Sequence, residues 1–231
     1  GELLSPGEAA DRFLTLLKEN KIRQARISGG EPTIGRSHLF PLLNVFQHKG
    51  VRFILETNGI LIGEDESYAQ ELALYPFVHV RVSLKGCTEE EFARLTGADP
   101  KGFHLQLNAL RHLKKAGVSA HPAVMLSFSG REAADHLYSA IWKIDPLMHS
   151  EIEKEELILF PHVEEKLRRA GLQYHSAHIP EKKDRKRPKG ERVKDERPRI
   201  REANPGRREG TKIEEPVPRI RPKNARVIRI R

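Results

Sequence analysis

Cysteine is almost missing from this chain: Cys87 stands alone in 231 residues. That excludes an internal disulfide framework and any metal site built on several of the chain's own thiolates. No apolar run approaches the roughly 20 residues needed to cross a membrane. The front lacks the basic-then-apolar pattern of a secretory signal. The expectation is a cytoplasmic protein with no membrane contact. The 11 histidines contain no His-Glu-x-x-His pattern. His175 and His178 lie three apart but read as part of a solvated stretch, so no metal ligand is assigned. Cys87 itself reads as an inert small residue. The chain opens on Gly1 rather than Met, which points to processing or truncation at the front.

Charge is present but unevenly spread. Residues 180–231 hold 20 Lys+Arg against 9 Asp+Glu, a net of +11 within a total of +9, so residues 1–179 carry −2. The same tail has seven prolines and no aromatic residue. Such a composition buries too little apolar surface to offset the entropy of ordering. The chain therefore divides into a globular body, 1–179, and a disordered basic tail, 180–231. Alternating residues at Arg219–Arg221 and Arg226–Arg231 leave room for a short edge strand there. The excess charge suits weak, salt-sensitive contact with nucleic acid or an acidic protein, although no aromatic residue is interleaved for base stacking.

Within the body, strand and helix patterns alternate. Ser5-Pro6-Gly7-Glu8 is a helix start with a capping box, followed by Ala10, Phe13, Leu14 and Leu17 at helical spacing. Gln24 to Ser28 is strand-like. Leu39, Leu42, Leu43 and Phe46 mark a helix stopped by Gly50. Val51 to Thr57 is a strand ending in the Asn58-Gly59 turn. A helix follows around Tyr68 to Leu74, then a β-branched strand from Phe77 to Leu84. A capped helix opens at Thr88. Phe103, Leu107 and Leu110 form the core stripe of a longer one that ends at Gly117. Val118 to Phe128 reads as a strand, Glu132 to Trp142 as a helix, Glu156 to Phe160 as a strand, and Pro161 starts the last helix. Strand ends recur near 30, 57, 85, 127 and 160, the rhythm of successive βα units that build a parallel sheet.

Ligands of such sheets and barrels bind at the carboxyl ends of the strands. The first of these ends is Gly29-Gly30-Glu31-Pro32. Two glycines leave the backbone open to close approach, and Pro32 holds Glu31 extended. Carbonyls and a carboxylate together suit an ammonium group, such as the amino end of S-adenosylmethionine (SAM). Arg81, Ser83 and Lys85 alternate, so they share one strand face.

Several strand ends together resemble the radical SAM enzymes, and most closely those like the glycyl-radical activating enzymes. Gly29-Gly30-Glu31-Pro32 is similar to the family's motif for the methionine amino group. Glu56-Thr57-Asn58-Gly59 is similar to its next strand end, and Ser83-Leu84-Lys85-Gly86 to the Asp-Leu-Lys segment of the activating enzymes, with Ser83 where those carry an acid. The resemblance spans residues 1–171. It implies an α/β fold, a (β/α)6 partial TIM-type barrel with parallel strands, here one strand short. It implies SAM as cofactor, bound by Gly29, Gly30, Glu31, Pro32, Thr57, Asn58, Ser83 and Lys85. It also implies a [4Fe–4S] cluster on a C-x3-C-x2-C loop, from which SAM yields a 5′-deoxyadenosyl radical that abstracts hydrogen from a substrate. Those cysteines are absent here. One account is a chain lacking the first strand and cluster loop, inactive alone but part of an enzyme. The other is a cluster-less barrel that binds a small molecule and is tethered by its basic tail.

Overall fold

Parallel strands cannot be joined by tight turns, so each step across the sheet needs a crossover. The computed structural model describes residues 4–180 and the strand Ile200–Glu202. Five strands form one sheet: β1 Gln24–Ile27, β2 Arg52–Thr57, β3 Val78–Lys85, β4 Ser119–Met125 and β5 Glu153–Glu155. They lie in chain order, and every neighbouring pair is parallel. A doubly wound sheet would reverse that order at a switch point. An unreversed order is the wall of a partial TIM-type barrel, as expected.

The crossovers carry α1 Pro6–Glu19 before β1, α2 Arg36–Phe46, α3 Ile60–Glu64, α4 Glu66–Leu72, α5 Glu89–Thr96, α6 Gly102–Lys115, α7 Arg131–Ile144 and α8 Pro146–Ser150, with α9 Pro161–Arg169 after β5. Ser5 and Glu8 make the expected reciprocal capping box on α1. A one-turn 3-10 helix, Pro32–Gly35, follows β1. Beyond α9, β6 Ser176–His178 pairs antiparallel with β7 Ile200–Glu202. The disordered state expected for the rest of the tail, and the edge strand at its end, lie outside the described residues.

Alternation along each strand divides the sheet into two unlike faces. The outer face is apolar: Phe53, Leu55, Val80, Val82, Leu84 and Val124 are buried there. Phe13 and Phe46 pack edge-on, with Phe46 and Phe53 ring centroids 5.2 Å apart. Helices α3 and α6 approach so closely that a Cβ on Gly63 would stand 1.8 Å from the Leu105 carbonyl oxygen, so only glycine fits.

The inner face carries charge. By register it presents Arg26, Glu56, His79, Arg81, Ser83, Lys85, His121, Glu153 and Glu155. Arg81 is only 7% exposed. Its guanidinium reaches Glu56 at 3.1 Å, Glu153 at 2.8 Å and Glu155 at 2.6 Å. Arg26 also pairs with Glu56.

This network corrects the fifth strand, expected at Glu156–Phe160 and found at Glu153–Glu155. The apolar run looked like the strand because apolar alternation usually marks one. Here the sheet edge is chosen by charge: Glu153 and Glu155 answer Arg81 and Lys85. The run Leu157–Phe160 turns away instead. The Leu157 amide donates to Ser127 Oγ at 2.8 Å, Ile158 bridges to His178, and the Leu159 amide donates to the His178 carbonyl at 2.8 Å. Ile158 and Phe160 stay 47% and 37% exposed.

Removing Arg81 takes one partner from each of three carboxylates, leaving Glu56 with Arg26, Glu153 with His121 and Glu155 with Lys85. Arg81→Met is expected to cost about 3 kcal/mol, the low end for breaking a buried ion pair, because Glu153 is half-exposed. Hydrogen bonds from His121 and Arg81 hold the Glu153 carboxyl well below its ordinary 4.5. A depressed carboxyl contributes stability above its unfolded pKa and loses it as pH falls through the folded value. The cost of the substitution should therefore be full above pH 5 and shrink as pH drops below about 4.5. Urea unfolding across that range checks this. A cost independent of pH would contradict the pairing.

Candidate functional site

The carboxyl ends of β1, β2 and β3 meet at one edge of the sheet, as parallel order requires. At the first end, Gly29 and Gly30 have φ of 97° and 57°. Residues with a side chain avoid these values. Nothing lies within 4 Å of where a Cβ on either would stand. The protein itself leaves this turn uncovered, while its conformation needs glycine.

Glu31 follows with φ −135°, extended as Pro32 demands. Its carboxylate is turned into the protein. Oε1 accepts from the Thr33 amide (3.1 Å), Thr33 Oγ1 (2.6 Å) and Thr57 Oγ1 (2.7 Å), and Oε2 accepts from the Asn58 amide (2.7 Å). Three of the four donors crowd Oε1 and one meets Oε2, whose second lone pair no donor among the described residues takes. Glu31 therefore braces the β1 end to the β2 end, and the open polar groups of the motif are those of the Gly29-Gly30 backbone. Thr33 is fixed in turn by Tyr68, whose hydroxyl donates to the Thr33 carbonyl at 3.0 Å. Burial pushes that phenol up to about 12, so it remains a donor.

Thr57, buried at the end of β2, donates to Glu31 and accepts the Gly59 amide at 3.0 Å. Asn58 Oδ1 accepts from the amide of Ile60, the first residue of α3, at 2.9 Å. Gly59 has φ 79°. The third end is tied by a residue that the sequence reading did not single out. Gln106, on α6, is fully buried, and its Nε2 donates to the carbonyls of Asn58 (2.7 Å) and Ser83 (2.9 Å). Its position was a signal in itself, since it is a polar residue on the apolar stripe of Phe103, Leu107 and Leu110. Glu31 and Gln106 together clamp three strand ends into one edge.

Of the expected site residues, Gly29, Gly30, Glu31, Pro32, Thr57, Asn58 and the Ser83 backbone belong to this clamp and its turn. Lys85 sits at the end of the same strand as Ser83 but is engaged on the inner face, with Nζ 3.0 Å from Glu155 Oε2.

An iron–sulfur cluster needs thiolates. Cys87 is buried, and burial pushes its thiol up to about 11, away from the thiolate. The chain's donor set does not fit a [4Fe–4S] cluster. Among the described residues, no group of three or more His, Cys, Asp or Glu side chains is arranged for a metal ion. No described helix is long and apolar enough to cross a membrane.

Comparison with known proteins agrees with the architecture. The sequence model of the Radical SAM superfamily matches residues 1–137, more than half of the chain. The chain belongs to the radical SAM superfamily. Over 100 residues it is 32% identical to a probable GTP 3′,8-cyclase of Methanococcus vannielii, covering 43% of this chain and 32% of that protein. Among solved structures it is similar to Streptococcus suis SuiB bound to S-adenosylmethionine, with TM-score 0.53, 19% identity, and 62% and 32% of the two chains covered. SuiB bound to its precursor peptide SuiA gives TM-score 0.55, 18% identity, and coverage of 74% and 38%. At these identities the likeness to SuiB is one of fold. The chain spans about a third of the length of these proteins. The comparisons speak to the superfamily, and not to the narrower likeness to glycyl-radical activating enzymes.

If Glu31 is a brace, its charge serves the protein's own donors. Glu31→Gln sets an amide nitrogen against donors on one side of the group. It is expected to lower stability by about 1–3 kcal/mol, the cost of leaving a buried polar group unpaired. Faster amide exchange at Asn58 should accompany it, read by hydrogen–deuterium exchange. Unchanged exchange at Asn58 would contradict the brace.

Proposed function

We propose that this chain is the SAM-binding part of a radical SAM enzyme. The observation that carries this is the uncovered Gly29-Gly30 backbone, beside a Glu31 carboxylate held by four of the protein's own donors. Carbonyls of that turn suit the methionine ammonium of SAM, and the Thr57-Asn58 and Ser83 strand ends line the space next to it. Superfamily membership supports the reading, as does the fold shared with SuiB, a protein solved with S-adenosylmethionine. In the superfamily, bound SAM supplies a 5′-deoxyadenosyl radical for hydrogen abstraction. This chain's contribution is to bind and orient SAM and to hold three strand ends in place. The radical step is not assigned to any residue here, because a single buried thiol cannot hold the cluster. The net +11 of residues 180–231 supports a separate, salt-sensitive association with nucleic acid or an acidic protein.

Isothermal titration of the chain with SAM tests the reading. The expected result is saturable one-to-one binding that Gly29→Val weakens by at least about tenfold, or 1.4 kcal/mol. The added Cβ meets no protein atom within 4 Å but strains a backbone at φ 97°, so the loss is read against a control for that strain. Gly97→Ala is the control for backbone strain: Gly97 has φ 73°, also with nothing within 4 Å, and caps α5 away from the site. It should leave SAM affinity unchanged. Absence of SAM binding, or a Gly29→Val variant that binds as tightly as the parent, would overturn the proposal.

A further inference from the structure

Gln106 sits where an apolar side chain would pack. The stripe of α6 that faces the sheet buries Phe103, Leu107, Ala109, Leu110 and Leu113 around it, and Gln106 itself is fully buried. Its orientation follows from its partners. The carbonyls of Asn58 and Ser83 lie 2.7 Å and 2.9 Å from Nε2. Carbonyl oxygens only accept, so the NH2 end of the amide must face them, one hydrogen to each. Oε1 then points elsewhere, and no donor among the described residues meets it.

For stability alone this is a weak choice. A buried acceptor without a donor costs at least as much as one of the two hydrogen bonds gains. An unbranched apolar side chain of similar length would fill the same space without that cost. What it could not do is hold two strand ends at a set distance.

The hold reaches further than the two carbonyls. The Asn58 carbonyl and the Gly59 amide belong to one planar peptide. That amide donates to Thr57 Oγ1 at 3.0 Å, and Thr57 Oγ1 donates to Glu31 Oε1 at 2.7 Å. Glu31 follows directly on Gly29-Gly30. A single hydrogen-bonded line therefore runs from the end of β3, through Gln106, to the turn after β1. Its middle has no slack. A Cβ on Gly59 would stand 2.9 Å from Val82 Cγ1 and 3.1 Å from Ala109 Cβ, so the Asn58-Gly59 turn is pressed against both β3 and α6.

We propose that Gln106 is a positioning residue for SAM. Buried beneath the edge, it acts through the backbone and does not touch the ligand. It sets the spacing of the second and third strand ends and, through Thr57 and Glu31, the seat of the Gly29-Gly30 turn. The unpaired Oε1 is the stability given up for that spacing. The role rests on the reading of this edge as the SAM site.

Three full-length proteins test it: the parent, Gln106→Met and Leu113→Val. Gln106→Met keeps the length and helix propensity of the side chain and removes both donors. Leu113→Val thins the same buried stripe two turns away, where no hydrogen bond to a strand end is made. In isothermal titration Gln106→Met should bind SAM at least about tenfold more weakly, because the edge must now be ordered as the ligand arrives. Leu113→Val should bind like the parent although it too loses stability. In nitrogen-15 NMR of the parent, the Gln106 side-chain amide should shift on addition of SAM. In SAM-free Gln106→Met, the Gly59 amide should exchange faster than the change in global stability accounts for. Affinity losses in both variants that simply follow their stabilities would mark Gln106 as structural and overturn the role. So would a Gln106→Met that binds SAM as tightly as the parent, or an unshifted Gln106 amide at saturating SAM. A parent that binds no SAM sinks the functional reading and the role with it, whereas tight binding by Gln106→Met sinks the role alone.

Discussion

A guanidinium with almost no access to water sets the shape of this protein's inner face. Arg81 comes from β3 and finds its carboxylates on β2 and β5, so three strands share one charge balance. Burying such a group unpaired would cost several kcal/mol. The sheet therefore admits β5 only where it delivers two glutamates on the inner side. This constraint explains why a Glu-Lys-Glu segment, and not the neighbouring apolar run, completes the sheet. It also makes the two faces chemically opposite. The outer face is closed by aromatic and aliphatic packing, and the inner face is a paired polar surface on which charged groups are held in fixed positions.

The strand ends extend the same logic from energetics to function. A parallel sheet places its carboxyl ends side by side but does not lock them together. Here two polar side chains do that work: the part-buried Glu31 joins the first end to the second, and the buried Gln106 joins the second to the third. The Gly29-Gly30 turn is thereby held open between fixed neighbours. A site prepared in this way spends little on ordering when a ligand arrives. Its acidic residue is committed to the scaffold, so under the proposed function recognition of SAM would fall to the backbone.

Much of the fold was legible in the sequence because its elements obey simple rules. In β2 and β3 apolar and β-branched residues alternate with polar ones up to a turn glycine, and α1 announces itself through Ser5, Pro6 and Glu8. The exposed turn at Gly29-Gly30-Glu31-Pro32 was legible for the same reason: two glycines and a proline constrain the backbone locally. What was not legible depends on partners distant in the chain. Glu153 looks like surface charge until Arg81, 72 residues earlier, is placed beside it. His79 and His121 are 42 residues apart, and only the register of β3 on β4 makes them neighbours. The inward turn of Glu31 likewise needed the position of Asn58, which sequence spacing alone does not give.

The most direct test of the account is a crystal structure of this chain with SAM. The account predicts the methionine ammonium against the Gly29-Gly30 carbonyls, with Glu31 still bound to Thr33, Thr57 and Asn58. SAM seated elsewhere on the sheet, or a Glu31 carboxylate swung out to meet the ammonium, would contradict it.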